Sequence, residues 1–186
     1  MMTAKEKICL DVRALLNSTD KRIVIGIDGP SGSGKTTLAK ELEVEFGATV
    51  FHVDDFFLPK ALQTEERLNT IGGNFDKERL FEEIISHLTT QSEIEYRPFS
   101  CKTQKLSPPK KIVLSQVVII EGVYSCHPHF WQIYDKKYFL CIDKELQKKR
   151  VLERSPDKAE LFFSKWIPLE DRYFEAFNLK TELICI

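Results

Sequence analysis

The sequence of 186 residues carries 27 lysines and arginines against 28 aspartates and glutamates, so its formal net charge is −1. Its length predicts one domain over residues 1–186, and 42% hydrophobic with 30% charged residues is typical of a folded water-soluble chain. The balanced charge argues against nucleic-acid binding, and no apolar run reaches the roughly 18 residues of a membrane span. The charged N-terminal segment is unlike a signal peptide. We therefore expect a cytoplasmic protein with neither nucleic acid nor membrane as a partner, and we leave homo-oligomerisation open.

The cysteines are widely spaced and include no CxxC pair. In a chain without a secretion signal, this pattern predicts reduced thiols. Cys126 is followed closely by two histidines, but no second ligand pair accompanies them, so we expect a loop there rather than a zinc site. The cysteines are Cys9, Cys101, Cys126, Cys141 and Cys185.

Hydrophobic periodicity predicts alternating helices and strands. Apolar residues at helical spacing indicate a leading helix within residues 1–20, and a β-branched run at 22–28 indicates a buried strand. A hairpin flap is predicted at about 94–114. The other predicted elements are a helix at 35–46, a strand at 49–53, loop or short helix at 56–74, a helix at 76–88, strands at 94–99, 111–114, 117–120 and 138–142, helices at 144–154 and 161–177, and a last strand at 182–186.

Buried apolar strands that alternate with helices are typical of an α/β fold. The parallel sheet of such a fold is covered by helices on both faces, which gives three layers. Ligands bind beyond the carboxyl ends of its strands. The polar residues directly after each predicted strand are therefore the first candidates for a functional site.

Residues 29–36, GPSGSGKT, match the phosphate-binding pattern G-x-x-x-x-G-K-[ST] between a predicted strand and a predicted helix. Small residues there let successive backbone N–H groups turn toward a phosphate at the positive end of the helix. In this interpretation Lys35 reaches the β- and γ-phosphates, and the Thr36 hydroxyl binds Mg²⁺. The alternative is a glycine-rich turn with a solvated lysine. The residues predicted to bind the nucleotide are Gly29, Ser31, Gly32, Ser33, Gly34, Lys35, Thr36 and Thr37.

Acidic residues follow two other predicted strands. Because side chains alternate along a strand, one of Asp54 and Asp55 should face the γ-phosphate, as a base or as a ligand of metal-bound water, and the other should point away. His52 shares the side of Asp54. Glu121 follows the strand at 117–120, in the position of an acid that helps hold Mg²⁺. The alternatives are a turn-forming acidic pair and a surface carboxylate.

Four segments, GPSGSGKTTLAK, VDDFF, GGNFD and VIIEG, resemble in wording and spacing the uridine kinase branch of the small P-loop kinases. That branch includes nicotinamide riboside kinase and, more distantly, phosphoribulokinase. The resemblance implies a P-loop fold whose parallel sheet has the strand order 2-3-1-4-5. It also implies that the γ-phosphoryl group of ATP is transferred, with Mg²⁺, to a hydroxyl of a small nucleoside-like or sugar-containing acceptor.

The resemblance also implies roles for individual residues. Asp54 matches the general base that takes the proton of the acceptor hydroxyl, and Glu121 matches the carboxylate that helps hold Mg²⁺. Asp76 matches an aspartate that binds sugar hydroxyls, and Tyr96, with Arg97 nearby, matches a residue of the nucleoside pocket. A helix cap for Asp76 and a packing role for Tyr96 are the alternatives.

A basic helix falls where this fold places its lid, at about 144–160. Arg150 and Arg154 are four residues apart and share a helical face, so both can reach a transferring phosphoryl group as catalytic cations beside Lys35. The alternative is a solvated charged face. The lid segment after Arg154 is shorter than in nucleoside kinases, which weakens the prediction of uridine as substrate but not that of phosphoryl transfer.

A nucleotide-binding regulatory protein, or an NTPase without a small-molecule acceptor, is the alternative function. Such a protein would use the same phosphate loop. The sequence contains no N-K-x-D motif for guanine. An aspartate after the second strand, at Asp54, favours an acceptor hydroxyl and hence a kinase.

Overall fold

A computed structural model describes residues 2–186 of the protein. Strands of a central sheet alternate with helices along the chain. Four short antiparallel strands come after the second of these strands in sequence and before the third. The strands are β1 (Ile23–Asp28), β2 (Thr49–His52), β3 (Glu93–Tyr96), β4 (Phe99–Ser100), β5 (Lys105–Leu106), β6 (Lys110–Val113), β7 (Val117–Glu121), β8 (Lys136–Phe139) and β9 (Ile184–Cys185).

The central sheet is entirely parallel and has the order β2–β7–β1–β8–β9. Numbered along the chain, its strands run 2-3-1-4-5, so the expected order is confirmed. In the register of the sheet, Ile23 lies beside Val117, and His52 lies beside Glu121. The carboxyl ends of β1, β2 and β7 therefore meet at one edge of the sheet.

Helices cover both faces of this sheet. Alternate residues of β1 face opposite layers, because Ile25 packs with α1 and α2, whereas Val24 packs with α4, α7 and α8. The helices are α1 (Ala4–Ser18), α2 (Lys35–Phe46), α3 (Glu65–Asn69), α4 (Lys77–Glu83), α5 (Lys144–Arg154), α6 (Ala159–Leu161), α7 (Ile167–Ala176) and α8 (Leu179–Glu182).

Two predicted helices are interrupted. The helix predicted at 161–177 contains a π-helical turn at Phe162–Trp166 before α7 begins. Pro168 has no N–H to donate to the carbonyl four residues earlier, and this disfavours a continuous α-helical ladder at that point. The helix predicted at 76–88 ends as α4 at Glu83, and a 3₁₀ turn follows at Ile85–His87.

The prediction that all cysteines are reduced is wrong for two of them. Cys141 follows β8, Cys185 lies in β9, and the two are joined by a disulfide. They are 44 positions apart in sequence, but the pairing of β8 with β9 brings their Cα atoms to 6.4 Å. Spacing along the chain could not reveal this neighbourhood. Cys9, Cys101 and Cys126 are free thiols.

The segment predicted as a flap forms an antiparallel pair of strands, β3 and β6, in which Glu93 lies beside Val113 and Tyr96 beside Lys110. The smaller strands β4 and β5 lie between β3 and β6 along the chain and form a separate antiparallel pair. Of the helices in residues 2–186, none is both long and apolar enough to cross a bilayer.

Candidate functional site

The loop between β1 and α2 has the shape that its glycines predict. Gly29 has a φ of 140°, and a Cβ there would lie 2.5 Å from the carbonyl oxygen of Leu140, so only glycine fits. Gly34 adopts the left-handed conformation directly before α2 begins at Lys35. The first N–H groups of a helix have no acceptor within it, so those of Lys35 and Thr36 are free to bind an anion.

Lys35 is held inside this loop. Its side chain is buried, and Nζ donates hydrogen bonds to the carbonyl oxygens of Gly29, at 2.8 Å, and of Pro30, at 3.0 Å. The backbone carbonyls of the loop therefore fix the position of the ammonium group. Its positive charge lowers the pKa of Asp54, against the larger raising effect of the protein atoms around that carboxylate.

A buried carboxylate connects the loop to the ends of two strands. Glu121 is 3% exposed, and its Oε1 accepts a hydrogen bond from Thr36 Oγ1 at 3.0 Å and lies 2.6 Å from His52 Nδ1. The hydrogen bond between His52 and Glu121 raises the pKa of His52. Hydroxyl and carboxylate oxygens are hard ligands of the kind that Mg²⁺ prefers, so Thr36 and Glu121 fit that ion. The sequence analysis missed the link to His52, which follows from the register of β2 with β7.

The prediction that the side chains of Asp54 and Asp55 alternate assumes that the second strand extends to these residues, and it does not. β2 ends at His52, and both aspartates lie in a 3₁₀ turn, Val53–Phe56, so strand alternation does not apply to them. The two side chains nevertheless have different surroundings. Asp54 is accessible to solvent but lies among protein atoms that raise its pKa, and the charge of Glu121 raises it further. Asp55 instead accepts a hydrogen bond from the Tyr96 hydroxyl at 2.9 Å.

The residues predicted to bind the acceptor are not all available in one open cleft, and Tyr96 is the clearest case. Tyr96 is 3% exposed, and its ring packs against those of Phe51 and Phe56. It donates a hydrogen bond to Asp55 from the protein interior and does not line an open cleft. For Tyr96 the packing alternative therefore describes the structure better than the predicted pocket role.

Asp76 and Arg97 have partners within the protein. Asp76 caps α4 by accepting a hydrogen bond from the Arg79 N–H at 3.2 Å, and it lies 3.6 Å from the guanidinium of that residue. Arg97 is exposed and pairs with Glu83 at 3.5 Å. The cap at Asp76 was the alternative interpretation of that residue, and it is present. An acceptor would have to bind Asp76 together with its existing partners.

The two arginines of α5 serve different neighbours. Arg150 donates from Nη1 to the carbonyl oxygens of Gly32, at 3.1 Å, and Ser33, at 3.2 Å, so it contacts the phosphate loop directly. The guanidinium of Arg154 lies 5.5 Å from the centre of the Phe162 ring, and its charge lowers the pKa of Asp54. Arg150 therefore holds the loop, whereas Arg154 contacts Phe162 and acts on Asp54 only through its charge.

Two buried carboxylates beside the loop were not singled out by the sequence analysis. Asp28 accepts hydrogen bonds from the N–H groups of Gly29 and Cys126 and from the Tyr173 hydroxyl, and burial raises its pKa to about 6. Glu170 accepts the Ser31 N–H at 2.9 Å and the hydroxyl of the same residue. The only sequence signal for Asp28 was an acid that ends an apolar strand.

The site geometry agrees with what comparison with known protein families finds. The sequence profile of the Phosphoribulokinase / Uridine kinase family matches residues 24–160. This range contains the phosphate loop, the aspartates after β2, Glu121 and α5.

Individual proteins of known name are similar to this chain as well. A phosphoribulokinase from Synechocystis sp. is 30% identical over 152 residues, which cover 76% of this chain but only 43% of that protein. A uridine kinase from Bacillus mycoides is 29% identical over 150 residues, which cover 73% of this chain and 68% of that protein. A solved structure of a possible uridine kinase from Bacillus stearothermophilus has a TM-score of 0.69 at 22% identity, and the match covers 97% of this chain and 99% of that one. That structure supports the fold alone.

Proposed function

Because the chain belongs to the Phosphoribulokinase / Uridine kinase family, we propose that it transfers the γ-phosphoryl group of ATP to a hydroxyl of a small molecule. The acceptor is nucleoside-like or contains a sugar. Proteins of the same family act on different acceptors, as the names of the two sequence relatives show, so the family alone selects no single substrate.

The observation that carries this proposal is the meeting of three different groups at one edge of the sheet. Lys35 begins α2 directly after the loop that follows β1, Asp54 follows β2, and Glu121 ends β7 beside Thr36. A cation, a solvent-accessible carboxylate and a pair of oxygen ligands are what phosphoryl transfer requires, because its catalysis consists of positioning and neutralisation of charge.

In this proposal the N–H groups at the start of α2 and the Lys35 side chain bind the triphosphate, while Thr36 and Glu121 would hold Mg²⁺. When bound, that ion neutralises negative charge on the transferring group. Glu121 is kept in place by His52, which contacts the same carboxylate oxygen as Thr36 does. The carboxylate is therefore oriented before any ligand arrives.

Asp54 is the proposed general base. Its carboxylate is open to solvent, unlike that of Asp55, whose oxygen is taken by Tyr96. A raised pKa makes Asp54 a stronger base than a free aspartate, which favours removal of a proton from an acceptor hydroxyl. Arg154 is the cation of α5 that acts on the charge of Asp54, so we assign it to the transferring phosphoryl group.

The test is ATP consumption by the purified protein with a panel of acceptors: uridine, cytidine, nicotinamide riboside, ribose derivatives and pantothenate. A kinase should consume ATP quickly only when one acceptor is present, and the phosphorylated product should appear in equal amount. Lys35→Ala is the matched control and should abolish the product. ATP hydrolysis that no acceptor stimulates would instead support the regulatory or NTPase alternative.

A further inference from the structure

Two helices hold the phosphate loop from outside. On α5, Gln147 donates to the carbonyl oxygen of Ser31 at 3.0 Å, and Arg150, three residues later, binds the next two carbonyls of the loop. On α7, Glu170 and Tyr173 are also three residues apart and therefore share a helical face. Glu170 binds Ser31, and Tyr173 binds Asp28.

Ser31 is the point at which both helices meet the loop. Its N–H and its hydroxyl both donate to the Glu170 carboxylate, and its carbonyl oxygen accepts from Gln147. The sequence analysis predicted that Ser31 binds the nucleotide, but all its polar groups are committed to Glu170 and Gln147 instead. The N–H groups at the start of α2 lie further along the loop and are not part of this arrangement.

In the part of the chain that the structure describes, Glu170 is a buried carboxylate without a cationic partner, which is an unfavourable arrangement. Glu170 is 5% exposed, and within residues 2–186 no lysine, arginine or histidine forms an ion pair with it. Burial of an unpaired charge is costly unless strong hydrogen bonds offset it. Burial does raise the pKa of Glu170, while the two Ser31 hydrogen bonds and the charge of Lys35 lower it. The groups that favour the ionised form therefore all belong to the phosphate loop.

We propose that Glu170 is a positioning residue that fixes Ser31, and through it the phosphate loop, in the shape that binds ATP. It does so without touching the nucleotide. This inference rests on the proposed function, since it assumes that the loop binds ATP. It adds a residue outside residues 24–160, the range that matches the family profile.

The test is the affinity of the purified protein for a non-hydrolysable ATP analogue with Mg²⁺, measured by calorimetry without any acceptor. Glu170→Gln keeps the volume of the side chain but loses the charge, and Ser31→Ala loses the hydroxyl donor. Each should weaken binding about tenfold, the effect of one charge-assisted hydrogen bond. Glu175→Gln changes an exposed carboxylate of the same helix and should bind within about twofold of the wild type.

The double variant makes the test specific. Both single substitutions disrupt the same contact, so the double variant should also bind about tenfold more weakly than the wild type, whereas independent effects would multiply to about a hundredfold. Normal affinity in folded Glu170→Gln, or a multiplied loss in the double variant, would overturn the proposal. If Glu170→Gln does not fold, Ser31→Ala decides by itself: normal affinity overturns the proposal. A wild-type protein that does not bind the analogue would overturn the proposed function as well.

Discussion

Asp54 and Asp55 are adjacent in sequence but lie in different environments. One carboxylate is open to solvent near Lys35, Glu121 and Arg154, and the other is bound by the hydroxyl of a buried tyrosine. Their 3₁₀ turn places the two side chains at different angles around its axis, so the contrast does not depend on strand alternation. This contrast permits a matched pair of substitutions.

Asp54→Asn should lower turnover by roughly 10²–10⁴, because the amide has the shape of the carboxylate but cannot accept the proton. ATP affinity should remain within a few-fold, since the loop that we propose to bind the triphosphate is unchanged. Steady-state kinetics with the best acceptor from the panel, together with a thermal melt, measure both effects.

Asp55→Asn is the control, because the asparagine oxygen can still accept from Tyr96. It should keep most of the activity. A folded but inactive Asp55→Asn beside an active Asp54→Asn would show that the base is the second aspartate.

Asp28 gives a prediction about pH. Burial raises the pKa of this carboxyl from 3.8 to about 6, so the folded state prefers its protonated form. Stability from this group is therefore greatest at low pH and falls as the pH rises through about 4 to 6. Relative to Asp28→Asn, the free energy of unfolding of the wild type should fall by about 2 kcal/mol between about pH 4 and pH 7.

Urea denaturation of both proteins over this pH range measures the difference. Asp20→Asn, at an exposed aspartate, is the control and should follow the wild type at every pH. A constant difference between wild type and Asp28→Asn would show that Asp28 titrates alike in the folded and unfolded states.

The residues of a local motif could be predicted, and the residues that support them could not. Lys35 and Thr36 are named by a pattern of eight neighbouring residues, and Glu121 by the strand that it ends. Glu170 lies 139 positions from Ser31, and nothing near it in sequence marks it. His52 meets Glu121 only because β2 pairs with β7 in one particular register. Long-range partners of this kind are fixed by topology, which no local pattern encodes.

At the level of elements, the junction after β7 holds the site together. Gly122 has a φ of 137°, and a Cβ there would lie 2.8 Å from the Cβ of Val53, in the turn that carries Asp54. The close approach of these two segments keeps Glu121 and Asp54 near each other. A side chain at this glycine would force them apart.

Gly122→Ala should therefore lower the free energy of unfolding by about 2–3 kcal/mol, from backbone strain and the steric clash together. Gly47→Ala is the matched control, because Gly47 also has a positive φ, of 59°, but nothing lies within 4 Å of its added Cβ. It should cost only about 1 kcal/mol. Urea denaturation of the two variants compares them, and equal losses would contradict the proposed clash with Val53.

Element boundaries were predicted well where the caps are local and less well where proline or 3₁₀ geometry intervenes. The helix at 35–46 was predicted to the residue, because Gly47 ends it in the left-handed conformation. The π-helical turn before α7 was missed, since the apolar spacing of its aromatic residues resembles that of a continuous helix. Periodicity reports which face is buried, but not the hydrogen-bond pattern of each turn.

At the scale of the whole molecule, the Cys141–Cys185 disulfide fastens the edge strand β9 to β8. It closes a loop with a sequence separation of 44, and such a loop corresponds to about 4 kcal/mol of stabilisation in the chain-entropy account. β9 has only two residues, so few other interactions hold it in the sheet.

A reducing agent should therefore lower the melting temperature of the wild type measurably. Cys185→Ser should already melt at the lower temperature and should not respond to the reductant. Cys101→Ser, at an exposed free thiol, is the control and should respond as the wild type does. A melting temperature of the wild type that reduction leaves unchanged would show that the bond contributes nothing to stability.

The position of β1 in the middle of the sheet has a consequence for synthesis of the protein. Its hydrogen-bonding partners are β7 and β8, and Ile23 pairs with Val117. At ribosomal rates of about 5–20 residues per second, the apolar strand IVIGID waits roughly 5–20 s for its first neighbour. During that interval an unpaired β-branched segment is a target for chaperones and for aggregation. The phosphate loop that follows β1 also takes its final shape late, because its partners Gln147 and Glu170 are synthesised after β7.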